Sequence, residues 1–323
     1  MAANAQEAKL IQLGAQLVGD VDFAKYAIPE SETAKVKPAQ EWTQDVMDFF
    51  AFGSSASGAL LPWGKTHNAI RMRKGELSIW AGVNGHGKSL LHSMVSYGIV
   101  RQSESVCIAS LEMKPLQTLV RMCRQATAID EPTPEYIRRF AVSLGSNLWL
   151  YDQQGTVKSR HMLAVVRYCR EELGIEHFVI DSLMKCGLDS EDYNAQKQFV
   201  DALSTYAKDT GMHIHLIAHS RKKDSEHKHM DKFDVKGASE ITDMADNVFT
   251  LWRNKGKEEK AQKGALKAEE EDAPDAVLNC DKQRNGDWEG KVNLWFVKRA
   301  LQFVARPKNR AIDMLAWPWS EDA

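Results

Sequence analysis

One segment, Gly82-Val-Asn-Gly-His-Gly-Lys88-Ser89, constrains the fold of this chain more than any other. It fits the pattern GxxxxGK[ST] and stands between an apolar run of strand length and a longer stretch of helical periodicity. The order of strand, glycine-rich loop and helix is the context in which this pattern forms a phosphate-binding loop. Glycines let backbone N–H groups turn toward an anion, and the positive end of the helix dipole adds to the attraction. The segment therefore predicts a nucleoside triphosphate as ligand.

In that interpretation Lys88 reaches the β- and γ-phosphates, and the Ser89 hydroxyl ligates Mg²⁺. The expected ligands are ATP, or another nucleoside triphosphate, and Mg²⁺. The loop and the start of the helix supply the other predicted nucleotide contacts, which are Gly82, Asn84, Gly85, His86, Gly87 and Leu90.

From Gly75 onward, apolar runs of strand length alternate with segments of helical periodicity. Strands are predicted at Leu77–Ala81, Val106–Ser110, Leu148–Tyr151, His177–Ile180 and Ile214–Ala218. Helices are predicted at Ser89–Arg101, Leu116–Ala128, Arg160–Leu173 and Gln196–Thr210. This alternation indicates βαβ units, in which helices cover both faces of a parallel sheet. The predicted fold class is α/β with a mostly parallel central sheet.

The last quarter of the chain has strand candidates without long helices between them. They are Val248–Trp252, Ala276–Asp281 and Val292–Val297, and we expect them to extend the sheet by antiparallel pairing. The segment Lys257–Asp275 is dominated by Lys, Glu and Ala and includes the acidic cluster Glu269–Asp272. Its composition suits a solvated helix or a disordered loop, and we favour the loop.

The amino-terminal residues differ from the rest. Ala5–Val18 has weak helical periodicity, and Trp42–Phe52 is a short amphipathic stretch before a Gly/Ser-rich turn. We interpret residues 1–65 as a helical arm and linker, and residues 66–323 as one α/β domain.

The five cysteines are scattered singly, without a CxxC pair. This indicates reduced core thiols and argues against a zinc site. The amino terminus lacks the apolar run of a signal peptide and the Arg/Ser bias of a transit peptide. No stretch approaches the roughly 18 uninterrupted apolar residues of a membrane helix. We therefore expect a cytoplasmic protein without a membrane partner.

Three polar residues follow strand candidates and would meet at the carboxyl edge of the sheet. Asp181 is predicted to bind the metal together with Ser89, in the manner of a Walker B segment. Glu112 could orient water for hydrolysis, or serve as a helix first-turn acid before Pro115. His219 could donate to the γ-phosphate, or be a satisfied surface histidine. The residues alone leave both of these alternatives open.

Four segments beyond the loop resemble the helicase domain of the DnaB-type replicative helicases, a RecA-like family of ring helicases. They are Ser110-Leu-Glu-Met113 with Arg121, Ile217-Ala-His-Ser-Arg-Lys222, Lys236-Gly-Ala-Ser-Glu240 with Ala245–Val248, and Asp281-Lys-Gln-Arg-Asn-Gly286. The resemblance extends from about Gly75 to Val304 and implies a RecA-like P-loop NTPase fold for the domain.

The resemblance also implies roles for individual residues. Glu112 would be the catalytic base, His219 the γ-phosphate sensor, and Arg121 a part of the nucleotide site. Lys282 and Arg284 would face the nucleotide of the neighbouring subunit. A strand puts residues two apart on one face, and two cations there would act as an arginine finger. Taken in isolation, this pair also suits a solvated edge strand.

The segment 219–236 is rich in Lys, Arg and His. In the family, the loop here lines the central channel, and its phosphate contacts are independent of sequence and sensitive to salt. An ordinary mobile charged loop is the alternative. The resemblance implies that single-stranded DNA contacts the following residues: Arg221, Lys222, Lys223, Lys228, Lys232 and Lys236.

The charge totals give no hint of a nucleic-acid partner. Lys plus Arg is 42 and Asp plus Glu is 44, so that the formal net charge is −2. The distribution is uneven, because positive charge gathers in segment 219–236 and around Arg284, and the acidic cluster Glu269–Asp272 offsets it. Such a distribution is compatible with a basic channel and an acidic outer surface.

The resemblance implies an ATP-dependent DNA helicase that translocates on single-stranded DNA and unwinds duplex DNA as a homohexameric ring. The alternative is a RecA-like recombinase or regulatory ATPase that binds DNA without unwinding it. DnaB-type helicases usually carry an amino-terminal primase or collar domain, for which residues 1–65 are too short. The pattern is thus that of a lone helicase module, as some bacteriophages encode. A separate primase, polymerase or loader is compatible with it, and none is visible in the sequence.

Overall fold

One mixed sheet organises the computed structural model, which describes residues 16–18, 21–26, 39–52, 57–189, 192–219 and 239–316. Within those residues the sheet has ten strands, in the order β1-β4-β3-β5-β6-β2-β7-β8-β9-β10. Neighbours are parallel from β1 to β7 and antiparallel from β7 to β10. The strands are β1 (Gln16–Val18), β2 (Leu77–Ala81), β3 (Val106–Ser110), β4 (Leu148–Tyr151), β5 (His177–Asp181), β6 (His213–Ile217), β7 (Asn247–Arg253), β8 (Ala276–Gln283), β9 (Gly290–Val297) and β10 (Gln302–Val304).

Helices cover both faces of this sheet. They are α1 (Thr43–Phe52), α2 (Lys88–Arg101), α3 (Pro115–Thr127), α4 (Pro134–Leu144), α5 (Ser159–Glu171), α6 (Tyr193–Thr210), α7 (Ser239–Met244), α8 (Lys255–Gln262) and α9 (Ala268–Glu271). One apolar core contains Trp80 and side chains of α2, α3 and α4, and the other contains Ile79 and side chains of α5, α6 and α7. Adjacent residues of β2 thus serve opposite cores, as a side-chain period of two requires.

The predicted α/β architecture is confirmed, and every strand and helix predicted from Gly75 onward is present, with ends that shift by at most three residues. The sequence interpretation did not include α4, α7 or β10. All five cysteines are buried and carry free thiols, as expected for core positions. In the part of the chain described, no helix has both the length and the apolar character needed to cross a bilayer.

The expectation of antiparallel pairing is wrong for the first C-terminal strand. β7 pairs in parallel with β2, with Asn247 opposite Ser78, and antiparallel pairing begins only between β7 and β8. The chain between β6 and β7, residues 218–246, is long enough to cross over and return to the starting edge, which a parallel pair needs.

The preference for a loop at Lys257–Asp275 is wrong at two helices, α8 and α9. The side chain of Asn254 caps α8 by accepting a hydrogen bond from the Lys257 N–H at 3.0 Å. The Lys257 ammonium then pairs with Asp275 at 2.7 Å. Local capping and ion pairing therefore stabilise helix in a segment whose composition is also typical of loops.

The helical expectation for Ala5–Val18 is wrong at Gln16–Val18, which form β1 beside β4 at the sheet edge. The other residues of that range lie outside the described residues.

Trp63, two residues before the predicted domain boundary, is fully buried, and its indole N–H donates to the Phe303 carbonyl at 2.7 Å. The division of the chain at residue 65 stays a prediction.

Candidate functional site

The loop between β2 and α2 lies at the carboxyl edge of the parallel strands. Gly85 and Gly87 have φ of +80° and +89°, a region that residues with a side chain rarely adopt. At Gly82, a Cβ atom would stand 2.7 Å from the Leu251 carbonyl oxygen. Asn84 is exposed at the tip of the loop. The path of this loop thus requires glycine at Gly82 and Gly87, the two positions where the motif has it, and also at Gly85.

The Lys88 side chain folds back over this loop. Its ammonium donates to the carbonyl oxygens of Gly82 at 2.8 Å and Val83 at 3.2 Å. Burial lowers the pKa of Lys88 to about 8, against the opposing effects of Asp181 and Glu112. The ammonium is therefore held inside the loop, where it can meet an anion that the backbone N–H groups bind.

Asp181 ends β5 next to the first turn of α2. Burial raises the pKa of Asp181, and a hydrogen bond with the Ser89 hydroxyl acts in the opposite direction. The two side chains offer a carboxylate and a hydroxyl beside the phosphate-binding loop. Oxygen donors of this kind are the ligands that Mg²⁺ prefers, usually together with substrate phosphates. Ser89 and Asp181 therefore fit the predicted metal.

A chain of side-chain contacts connects Lys88 to Glu112. The Lys88 ammonium lies 3.4 Å from Nδ1 of His219, and Nε2 of His219 lies 3.4 Å from the Ser182 hydroxyl. The Ser182 hydroxyl in turn donates to Oε1 of Glu112 at 3.4 Å. An ammonium can only donate and a carboxylate can only accept, so the three contacts form hydrogen bonds only if each group donates toward Glu112. The neutral His219 ring then carries its proton on Nε2. Glu112 lies before Pro115, the first residue of α3, and so outside that helix's first turn.

The other predicted nucleotide contacts lie around the same loop. Arg121, on α3, is half-buried, and burial lowers its pKa while the nearby Asp181 carboxylate opposes that shift. His86 is buried, and its Nδ1 accepts the Arg253 backbone N–H at 3.4 Å. Leu90 is half-buried on α2.

Sequence reasoning missed three residues of this site. Ser182 joins His219 to Glu112 as described, and its position directly after Asp181 was the available signal. Arg253 donates from Nη1 to the Gly85 carbonyl at 3.0 Å, and Glu258 of α8 holds the guanidinium at 2.5 and 2.8 Å. Arg253 ends β7, but the sequence predicts antiparallel pairing for that strand, so the rule that functional side chains follow parallel strands gives no signal for it.

Lys282 is on β8 and Arg284 directly follows that strand, and both side chains reach the carboxyl end of α7. The Lys282 ammonium donates to the carbonyls of Thr242 at 3.0 Å and Asp243 at 2.9 Å. The Arg284 guanidinium donates to the Asp243 carbonyl at 3.0 Å. Both cations thus complement the negative end of a short helix within their own chain.

The register of the strands places this pair far from the P-loop. The Arg284 N–H donates to the Asp246 carbonyl at 2.8 Å, and the Asp246 N–H donates to the Leu77 carbonyl at 2.9 Å. Leu77 begins β2, whereas the P-loop follows the end of that strand, about 16 Å away at roughly 3.3 Å per residue. Arg284 therefore lies at the amino edge of the strands and does not reach the P-loop of its own chain.

The residues predicted to contact DNA, Arg221, Lys222, Lys223, Lys228, Lys232 and Lys236, lie outside the described residues. Their role stays a prediction from the sequence.

Comparisons with known proteins agree with this fold. One solved structure that matches, described as a DnaB-like replicative helicase and its interactions with primase, has a TM-score of 0.65 and 17% identity. The match covers 84% of this chain and 67% of that one. Another solved structure, described as an ATPase domain, has a TM-score of 0.65 and 16% identity, over 82% of this chain and 97% of that one. At these identities the likeness concerns the fold, which is RecA-like.

A family model adds what the fold likeness alone does not establish. The model of the DnaB-like helicase C-terminal domain matches residues 69–305, which include the P-loop, Asp181, Glu112, His219 and Arg284. On this match, the chain belongs to the family of DnaB-like helicase C-terminal domains.

Proposed function

We propose that this protein is an ATP-dependent DNA helicase that works as a homohexameric ring and hydrolyses ATP, or another nucleoside triphosphate, between subunits. One observation carries the proposal. The P-loop, the Ser89–Asp181 pair and Glu112 lie at one edge of the sheet, whereas Lys282 and Arg284 lie at the other. A hydrolysis site divided in this way is complete only when two subunits meet.

At the carboxyl edge, the backbone N–H groups of the loop and the Lys88 ammonium hold the β- and γ-phosphates. Ser89 and Asp181 would hold Mg²⁺, which neutralises phosphate charge when bound. Glu112 orients the attacking water and accepts its proton. His219 contacts Lys88 directly and Glu112 through Ser182, so that it can relay a change at the γ-phosphate to the water-orienting carboxylate.

The neighbouring subunit supplies the remaining charge in this proposal. Arg284 and Lys282 point to the same side and would face the nucleotide of the next subunit, where they stabilise negative charge in the transition state. To do so they exchange the carbonyls of α7 for phosphate oxygens. Occupation of the interface is thereby linked to α7, which follows the segment 220–238 proposed to contact DNA.

Single-stranded DNA binding is expected to weaken when Lys222 and Lys223 are both replaced by alanine. Each lost phosphate contact on a single strand should flatten the slope of log K against log salt by about 0.7, so that the double variant loses about 1.4. Fluorescence anisotropy of a labelled oligonucleotide at several salt concentrations measures both quantities. An unchanged affinity and slope would show that DNA binds elsewhere.

Electron microscopy of the protein with Mg²⁺ and a non-hydrolysable ATP analogue should show closed six-membered rings. Open filaments, together with an absence of strand separation in an unwinding assay, would favour the recombinase alternative instead.

The helix α1 is a candidate contact between subunits of the ring, because its apolar residues Val46 and Met47 are 52% and 58% exposed. We propose that α1 packs against a second copy, and Met47→Glu should then reduce the fraction of rings. An equal fraction of rings in this variant would remove α1 from the interface.

The proposal includes a separate primase as partner, because a matching structure is described as a DnaB-like replicative helicase with its primase interactions. Co-elution of this protein with a primase from the same source tests that point, and independent elution speaks against it.

A further inference from the structure

The buried side of α2 below the P-loop is polar where a core-facing helix is normally apolar. Ser89 lies three and four residues before His92 and Ser93, and Ser96 lies four and three residues after them, so that the four side chains form one stripe. The last three are at most 5% exposed. The side chains of this stripe therefore meet something that can form hydrogen bonds.

The stripe borders a cavity of about 20 Å³ between α2, α3 and the carboxyl ends of β3 and β5. The other polar walls of the cavity are Ser110, Thr118, Arg121 and Asp181. Ser110 and Asp181 are opposite each other on paired strands, so that their side chains lie on the same face of the sheet. The cavity thus adjoins the carboxylate assigned to the metal.

Four polar atoms of the cavity wall have no hydrogen-bond partner among the described residues. They are Nε2 of His92 and the hydroxyl oxygens of Ser93, Ser110 and Thr118. All four side chains are more than nine-tenths buried. Buried polar atoms left unpaired are costly compared with the small net stability of a protein, and native structures satisfy them with ordered water.

The size of the cavity identifies what it can hold. A water molecule needs roughly 10–15 Å³ of such space and two to four polar partners. The wall provides both, whereas Mg²⁺ keeps several waters of its own, for which a cavity of about 20 Å³ has no room. We propose that the cavity holds an ordered water molecule that bridges the Ser110 and Thr118 hydroxyls to the Asp181 carboxylate, which makes both hydroxyls positioning residues for that carboxylate. The consequence for metal binding rests on the proposed function, whereas the water itself does not.

Thr118→Val tests the water, because valine keeps the shape of threonine and removes the hydroxyl. A hydroxyl bonded to water stabilises the fold, so that its loss should lower Tm by about 2–4 °C. A dry and unpaired hydroxyl would instead give a higher Tm on removal, which would overturn the proposal. Ser110→Ala should act in the same direction as Thr118→Val. In a crystal structure, a water peak within hydrogen-bond distance of the Thr118 hydroxyl is expected, and an empty cavity would contradict it.

Mn²⁺ titration followed by electron paramagnetic resonance, with a non-hydrolysable ATP analogue bound, tests the positioning role. Loss of support around a metal ligand typically weakens metal binding 10- to 100-fold, and we expect about 10-fold in Thr118→Val and in Ser110→Ala. Ser204→Ala is the matched control, since this buried hydroxyl donates to the Met244 carbonyl at 3.3 Å and does not line the cavity. It should leave Mn²⁺ affinity unchanged. Wild-type Mn²⁺ affinity in both cavity variants would overturn the role.

Asp181→Asn in the same titration separates this inference from the proposed function. If this variant binds Mn²⁺ as tightly as the wild type, the metal assignment of Asp181 is wrong, and the positioning role fails with it. The sign of the Tm change in Thr118→Val still decides whether the cavity holds water.

Discussion

Replacing Arg284 with alanine is expected to lower DNA-stimulated ATP hydrolysis by about 10³-fold or more while ATP binding is retained, because a finger of this kind acts on transition-state charge. Nucleotide binding should persist because the P-loop, Lys88 and the Ser89–Asp181 pair lie at the opposite edge of the sheet. Steady-state phosphate release and equilibrium binding of a fluorescent ATP analogue measure the two effects.

The hydrogen bonds within the chain offer a different role for Arg284, since its guanidinium donates to the Asp243 carbonyl at 3.0 Å. If it only caps α7, Arg284→Ala lowers Tm and leaves kcat close to that of the wild type. Mixing subunits separates the two roles. Rings assembled from Arg284→Ala and Glu112→Gln subunits contain interfaces where an intact Arg284 faces an intact Glu112, so that hydrolysis should reappear. No recovery in verified mixed rings would contradict action between subunits.

The candidate site was predictable where one rule covers it. Polar residues that closely follow parallel strands meet at the carboxyl edge, and this rule alone predicts that Asp181, Glu112 and His219 lie together. Arg253 lies outside the reach of this rule, because the sequence does not fix the direction of β7, the strand that it ends. The Ser182 link and the cavity beside Asp181 depend on side chains from separate elements. Their contacts are set by packing, which local sequence patterns do not specify.

The fold was predictable where hydrophobic periodicity is strong, as at Leu77–Ala81 and Val106–Ser110, which the structure reproduces. The direction of β7 was not, because a strand's own pattern is the same in parallel and antiparallel pairing and only the path of the connection decides. The helix α4 was omitted although Ile137, Phe140 and Leu144 recur at helical intervals after Pro134, a common first residue of helices. That omission reflects an unused signal and not a missing one.

A second large effect is expected from acid, because a group of buried histidines lies within the sheet. The Trp80 indole N–H only donates, so that Nδ1 of His215 accepts it at 3.2 Å. Nε2 of His215 then donates to Nδ1 of His177 at 3.1 Å, and Nε2 of His177 donates to the Glu104 carboxylate at 2.6 Å. His215 is thereby neutral, with both ring nitrogens in use.

His213 is fixed in the same way. Its Nδ1 donates to the Arg73 carbonyl at 2.5 Å, and its Nε2 accepts from the Ser78 hydroxyl at 2.8 Å. A second proton on either His213 or His215 would break an existing hydrogen bond and place a charge in the core. Burial accordingly lowers the pKa of both residues well below the usual value, and it lowers the pKa of His92 to about 3.

The protein is therefore expected to lose stability as the pH falls below about 6.5, where unfolded histidines take up protons that His92, His213 and His215 exclude in the fold. Each of these histidines leaves the free energy of unfolding unchanged above about pH 6.5 and lowers it by about 2 kcal/mol at pH 5. The three together lower it by about 6 kcal/mol. Asp181 acts in the opposite direction, because burial raises its pKa. Against a total of about 5–15 kcal/mol, the net loss should bring acid unfolding close to pH 5.

Urea unfolding at several pH values between 5 and 8 measures this dependence. His213→Asn should be less stable than the wild type at pH 8, because it loses part of the hydrogen bonding described above. Its free energy of unfolding should also fall less steeply toward pH 5 than that of the wild type, and the difference in slope should be about 1.4 kcal/mol per pH unit. The exposed His161 provides the control, since His161→Gln should keep the wild-type slope. A wild-type stability that is constant from pH 7 to pH 5 would mean that the histidines accept protons within the fold, and the neutral hydrogen-bonded arrangement would then be wrong.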